Sequence, residues 1–186
     1  MQDFFNAAAS SSRIAYFDRG AYLVSNTIQV PKDLKITGEL WPLIMATGSN
    51  FQDQLNPRPM WRIGNPGDVG TVEISDVMFE ARGPVPGCIM VEWNIAALTP
   101  GGAGMWEAHY RIGGSAGTLL QQTQCQKAPN TPINAGDAVL SRCAGAFLLL
   151  HVTKQGNGYF ENIWGWVADH ELDELTRDQV TIFNGR

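Results

Sequence analysis

The run Trp164-Gly165-Trp166-Val167-Ala168-Asp169-His170-Glu171-Leu172-Asp173 places two indoles beside three carboxylates and an imidazole. An indole face pairs with the apolar face of a pyranose, and carboxylates accept hydrogen bonds from its hydroxyls, so these residue types suit a sugar-stacking platform. The same run also reads as a core Trp followed by a solvated acidic loop. We expect one of the two indoles to serve the core and the other to stay exposed. A second constellation, Glu107, His109 and Arg111, alternates along Trp106–Ile112 and reads as one face of a single strand. That face either lines a cleft or meets solvent. Glycoside hydrolysis needs two carboxyl groups, about 5–5.5 Å apart for retention or about 6.5–9.5 Å for inversion, and no spacing in the chain singles out such a pair.

Other chemistries lack their residues. Gly113-Gly114-Ser115-Ala116-Gly117 follows a strand, but Ile112 stands where a dinucleotide fingerprint needs its first glycine, so these glycines read as turns. There is no P-loop, no GxSxG elbow and no HExxH, and no cofactor is expected. Cys88, Cys125 and Cys143 form no CxxC and the three His are scattered, so no metal site is expected. Cys88 lies in an apolar run and reads as a buried thiol. Cys125 and Cys143 flank a Gln/Pro/Asn-rich loop; the residues alone leave bonded and free states equally open. A bond there would stabilise by about 3 kcal/mol on a chain-entropy argument and would require an oxidising compartment.

The elements that must position these residues are short strands. Of 186 residues, 44% are apolar but only 17% charged, with 20 Gly and 10 Pro. That balance favours an all-β domain and excludes coiled coils and helical solenoids. Gln2–Ala9 reads as the back half of an amphipathic helix, with no capping residue ahead of it. Apolar runs bounded by turn formers then predict strands over 14–17, 21–24, 27–30, 34–37, 43–46, 60–63, 71–79, 88–93, 106–112, 147–152, 159–167 and 180–183. No helix is expected after Ala9, and no linker divides the chain, so 1–186 reads as one domain.

Such strands could close a sandwich, a barrel or a solenoid. Three segments favour the solenoid by sharing a template: Ile74-Ser75-Asp76-Val77-Met78-Phe79, Met105-Trp106-Glu107-Ala108-His109-Tyr110 and Phe160-Glu161-Asn162-Ile163-Trp164-Gly165. The pattern is apolar, polar or large, Asp/Glu/Asn, apolar, variable, then aromatic or small. It suits successive coils of a parallel β-helix with loops of unequal length between them. A net charge of −5 without a basic block excludes a nucleic-acid footprint. The longest apolar run, 146–150, is far short of the roughly 20 residues of a membrane helix.

Longer stretches carry a resemblance. Ile14–Val24 is similar to the opening motif of pectate-lyase-superfamily β-helices. Gly67–Asp76, Met90–Ile95, Arg111–Gly114 and Gly158–His170 resemble the fungal exo-β-1,3-glucanases of glycoside hydrolase family 55, across nearly the whole chain. The resemblance implies a right-handed parallel β-helix, here a partial solenoid truncated at both ends, from the first part of the second of two tandem β-helices. Residues 1–9 would be the remnant of a helix, and the first β-helix would be a missing partner. It further implies a secreted parent that hydrolyses β-1,3-glucan with inversion. The parent's general acid would be a glutamate beyond Arg186, and the chain alone would be inactive and poorly soluble.

By the same resemblance Trp166 and Asp169 would line the cleft. His170 and Glu107 complete the expected substrate-binding set, and Cys125 and Cys143 would form a disulfide. Ser10-Ser11-Ser12 departs from a version that often carries a cysteine. A calcium-dependent lyase would need an acidic cluster, and a polygalacturonase neighbouring aspartates; no Asp-Asp pair occurs. The alternative is a non-catalytic β-helix with a structural or sugar-binding role.

Overall fold

The computed structural model describes residues 1–127, 137–173, 175–176 and 178–184. A helix, α1 (Gln2–Ser10), opens the chain, and strands β1 (Ile14–Phe17), β2 (Ala21–Val24) and β3 (Ile28–Val30) complete a first circuit. The next two circuits are β4 (Leu34–Gly38), β5 (Leu43–Ala46) and β6 (Arg58–Ile63), then β7 (Val72–Ser75), β8 (Met78–Ala81) and β9 (Cys88–Trp93). β10 (Ala103–Trp106) and β11 (His109–Ile112) begin a fourth circuit. A long excursion holding α2 (Ala138–Arg142) and β12 (Ala144–Ala146) then precedes β13 (Leu148–Val152). β14 (Tyr159–Glu161) and β15 (Gly165–Val167) follow, and β16 (Phe183–Asn184) returns to pair with β12.

Each strand pairs in parallel with its counterpart one circuit on. The first sheet runs β1-β4-β7-β10-β14, the second β2-β5-β8-β11-β15 and the third β3-β6-β9-β13. Within these sheets no strand pairs with its neighbour in the chain, which is the connectivity of a parallel β-helix. The all-β parallel expectation holds. Register explains why the coils stack: Ile36, Ile74, Met105 and Phe160 fall on one row of the first sheet, all pointing inward. Like residues above like residues keep one continuous core.

The shared template marks a corner. Asp76, Glu107 and Asn162 all adopt positive φ, at 58°, 50° and 50°. Each turns the chain from the first sheet to the second. A non-glycine residue there costs roughly 1–2 kcal/mol, which Asp and Asn lower through local hydrogen bonding. The runs 71–79, 106–112 and 159–167, expected as single strands, are therefore each two strands broken at this residue. An apolar-rich run reads the same whether or not it bends in the middle.

Beyond Ala9 the described residues hold two short helical pieces where none was expected, a 3₁₀ turn at Ser49–Phe51 and α2. At the other end α1 lies over the first coil. Phe5 is fully buried, edge-on to Trp61 at 5.2 Å and to Phe17 at 5.9 Å. From there an aromatic file runs down the interior: Trp61 to Phe79 at 5.1 Å, then Phe79 to Tyr110 at 5.2 Å. Full burial of each ring is worth about 1.5–3 kcal/mol, so the file ties α1 to the fourth circuit.

Candidate functional site on the second sheet

The outer side of the second sheet carries two rows of side chains. One runs through Leu43, Met78 and His109 and continues to Trp164, whose indole stacks on the His109 ring at 4.4 Å and 14°. The other runs Leu23, Met45, Glu80, Arg111 and Trp166. Trp164 and Trp166 thus lie on the same face, with Gly165 between them in register with inward Tyr110. The expected split between a core indole and an exposed one is wrong, because residues two apart on a strand share a face.

His109 is only 3% exposed, although it lies on the outer face. Trp164 covers it on one side and Trp41, at 5.7 Å, on the other. These indoles keep 44% and 47% of their own surface open. Trp41 sits in the loop between β4 and β5, where Leu40 and Trp41 both have positive φ. Glu107 is not on the strand face with His109 and Arg111 but at the corner. It accepts a hydrogen bond from Asn162 Nδ2 at 2.6 Å and lies 3.4 Å from His109 Nε2.

Below Trp41 a groove of ≈ 580 Å³ opens, lined by Arg19, Leu40, Trp41, Leu43, Met78 and Arg111. Its floor is apolar, one wall is an indole and its ends carry guanidinium groups. A smaller hollow of ≈ 360 Å³, between 97–103 and Tyr159, has no charged lining.

The structure brings Trp166, Asp169 and His170 together. The Trp166 and His170 rings are 5.4 Å apart, and His170 Nδ1 lies 2.5 Å from Asp169 Oδ1. That hydrogen bond holds the exposed Asp169 carboxyl below its ordinary range. Glu107 stands apart from this group, beside His109. The other two acids of the run do structural work. Glu171 is buried and accepts the Gln122 N–H at 2.5 Å, and Asp173 accepts the Ala116 N–H at 2.8 Å. Gly114, at φ 72°, receives the loop: its carbonyl accepts the Leu172 N–H at 2.9 Å.

Sequence reasoning missed Trp41 and Glu80. Glu80 is 1% exposed, and its Oε1 accepts hydrogen bonds from Arg111 Nε and from Ser115 Oγ, the latter at 2.7 Å. Burial pushes its carboxyl up, against the opposing charge of Arg111. A charge inside the apolar strand Met78-Phe79-Glu80-Ala81 was the available signal, because extending the template by one position aligns Glu80, Arg111 and Trp166. Cys125 and Cys143 are joined in a disulfide with a Cα–Cα distance of 5.7 Å. Cys88 is free and buried, which pushes its thiol up. Among the described residues no group of three or more His, Cys, Asp or Glu gathers to hold a metal, and no helix is long and apolar enough to cross a membrane.

Comparison with known proteins bears on this face. No protein-family model matches the chain. It is 52% identical over 178 residues to a probable glucan endo-1,3-beta-glucosidase of Arthroderma benhamiae, covering 96% of this chain and 20% of that protein. It is 43% identical over 180 residues to a glucan 1,3-beta-glucosidase of Cochliobolus carbonum, covering 96% of this chain and 22% of that one. These relatives are named as glucan glucosidases. A third, named a non-secreted LysM effector of Penicillium expansum, is 41% identical over all 186 residues and 13% of its own length. The chain therefore spans about a fifth or less of the relatives it matches.

Proposed function

We propose that this chain supplies the sugar-stacking face of a β-1,3-glucan hydrolase, of the exo-acting, inverting kind found in glycoside hydrolase family 55. The observation that carries the reading is the pair Trp164 and Trp166 on one outer face, with Asp169 and His170 beside Trp166 and Glu107 beside the His109 ring on which Trp164 stacks. Likeness to proteins named as glucan glucosidases supports the substrate class. In this reading Trp166 takes the apolar face of a glucosyl unit, while Asp169 and His170 accept and donate to its hydroxyls. Glu107, fixed by Asn162, serves a neighbouring unit. The general acid is a glutamate of the parent beyond Arg186. The partners of residues 1–186, a single partial β-helix domain with 1–9 as a helix remnant, are the other β-helix of an extracellular parent and the polysaccharide.

The test is quenching of tryptophan fluorescence by laminari-oligosaccharides in the 186-residue chain, with cello-oligosaccharides as control. Saturable binding of the β-1,3-linked series, lost in Trp166→Ala, is expected. Equal binding of both series, or none, overturns the glucan assignment. A second reading, a sugar-binding or structural β-helix without hydrolysis, is favoured by the likeness of the whole chain to a LysM effector. Restoring the parent's flanking sequence and assaying glucose release separates the two.

A further inference from the structure

We infer that Arg111 is a positioning residue, a clamp held by buried Glu80 that fixes Asp173 and so sets the 168–173 loop beside Trp166. The inference rests on the proposed role of Asp169 and His170 in glucan binding, which gives the loop its purpose.

Glu80 occupies a place in its row where Met45 on the preceding circuit is apolar. Burying a carboxylate is costly, and apolar replacement of a buried ion pair is often neutral or stabilising. Stability alone therefore does not account for an acid at this position. What Glu80 does is orient: its Oε1 takes Arg111 Nε and Ser115 Oγ, while Oε2 has no partner among the described residues. With Nε held, the planar guanidinium can turn only about a fixed edge, and its Nη1 lies 3.8 Å from Asp173 Oδ1.

The other Asp173 oxygen accepts the Ala116 N–H. Asp173 thus bridges the strand-anchored cation and the turn at 115–117, and Leu172 beside it donates to the Gly114 carbonyl. Asp169 is tied from the far side by Val180, whose N–H donates to its carbonyl at 3.0 Å. Lysine, a point charge without the fork, cannot serve Glu80 and Asp173 together. Glu80, Arg111 and Asp173 are the charged groups at this junction; Arg19 reaches the same groove from the first coil.

The test is amide hydrogen exchange on the full chain, read at Ala116 and Leu172, together with laminari-oligosaccharide binding. In Arg111→Met and Arg111→Lys, exchange at both amides should rise about tenfold or more. Amides of the first three coils should be unchanged, and oligosaccharide affinity should fall about tenfold. Exchange that stays at the wild-type rate, or rises equally in every coil, overturns the clamp. If Arg111→Met does not fold, Glu80→Gln gives the same readout at near-constant shape. The two readings fail separately. Unchanged exchange with weakened binding sinks the clamp and leaves the glucan face standing; loosened exchange in a chain that binds no glucan upholds the clamp as a structural device and sinks the glucan face.

Discussion

Arg111 and Trp166 are register partners on adjacent parallel strands. The residue whose guanidinium answers two carboxylates is therefore the immediate cross-strand neighbour of the residue whose indole is proposed to take the sugar, on backbones about 4.8 Å apart. Clamp and indole belong to one row of the second sheet, so a disturbance at Arg111 reaches Trp166 without passing through a loop.

Trp164→Ala should weaken laminari-oligosaccharide binding about tenfold, equal to about 1.4 kcal/mol. It also uncovers the buried His109 ring against which the indole stacks. Fluorescence titration of the variant beside Trp41→Ala checks this, and unchanged affinity in both would remove the two indoles that flank His109 from the site.

Gly114→Ala should displace the 168–173 loop. An added Cβ would stand 2.6 Å from the His170 carbonyl oxygen, and φ there is +72°. A loss of stability of about 1–3 kcal/mol in urea with a larger fractional loss of binding is the expected outcome. Gly101→Ala, with nothing within 4 Å of its added Cβ, is the control for positive φ alone.

Glu80 and Asp169 should move stability with pH in opposite senses. The Glu80 carboxyl is raised chiefly by burial, so its contribution is complete below its ordinary value of 4.5 and is lost as pH rises through the folded value. Asp169 is lowered chiefly by its hydrogen bond to His170, so its contribution is present above 3.8 and is lost as pH falls through the folded value. Urea unfolding from pH 3 to pH 8 should show the difference between wild type and Glu80→Gln falling with rising pH. A difference that grows with pH would mean that attraction to Arg111 outweighs burial.

Phe5→Ala should cost about 3–5 kcal/mol, the range for deleting a fully buried ring. The half-exposed Phe4, changed the same way, should cost less than about 1.5 kcal/mol. Equal losses from the two would show that α1 does not close the core through Phe5.

Replacing Cys125 and Cys143 by Ser should lower stability by about 3 kcal/mol, the loop-closure value for a separation near 18 residues. Both sulfurs are buried and their backbones bond to Thr181 and Phe183, so thermal melting should broaden as well as shift. An unshifted melting curve would mean that packing holds this excursion without the bond.

Much of the architecture was legible because strands of this fold are short and bounded by turn formers, and Ile14–Phe17, Ala21–Val24 and Cys88–Trp93 fall where expected. The corners were less so. Asp76, Glu107 and Asn162 interrupt runs whose apolar content continues on both sides, and a left-handed residue leaves no mark on hydrophobic alternation. At the candidate site Trp166, Asp169 and His170 are close in the chain and close in space. Trp41 and Glu80 were missed because they meet the others only through coil stacking. Glu107 reads as a strand-face residue only if one strand runs through 106–112, and its positive φ breaks that run into β10 and β11. The acidic run misled in another way: two of its three acids accept backbone N–H groups, and one of these, Glu171, is buried rather than solvated.

The left-handed corner fixes where each coil begins its second side, but not how long the coil is. Successive coils return to register after 38, 31 and 55 residues, read at Thr37 and Ser75, at Glu80 and Arg111, and at Glu107 and Asn162. Coil length is therefore a free variable of this scaffold, and the place to vary it is the side reached after β11. Exchanging the excursion there for the short connection that links β8 to β9 would give a trimmed solenoid that keeps both indoles at β15 but loses the 114–122 contacts that hold the 168–173 loop. Lengthening it instead would hang new recognition loops beside the same floor.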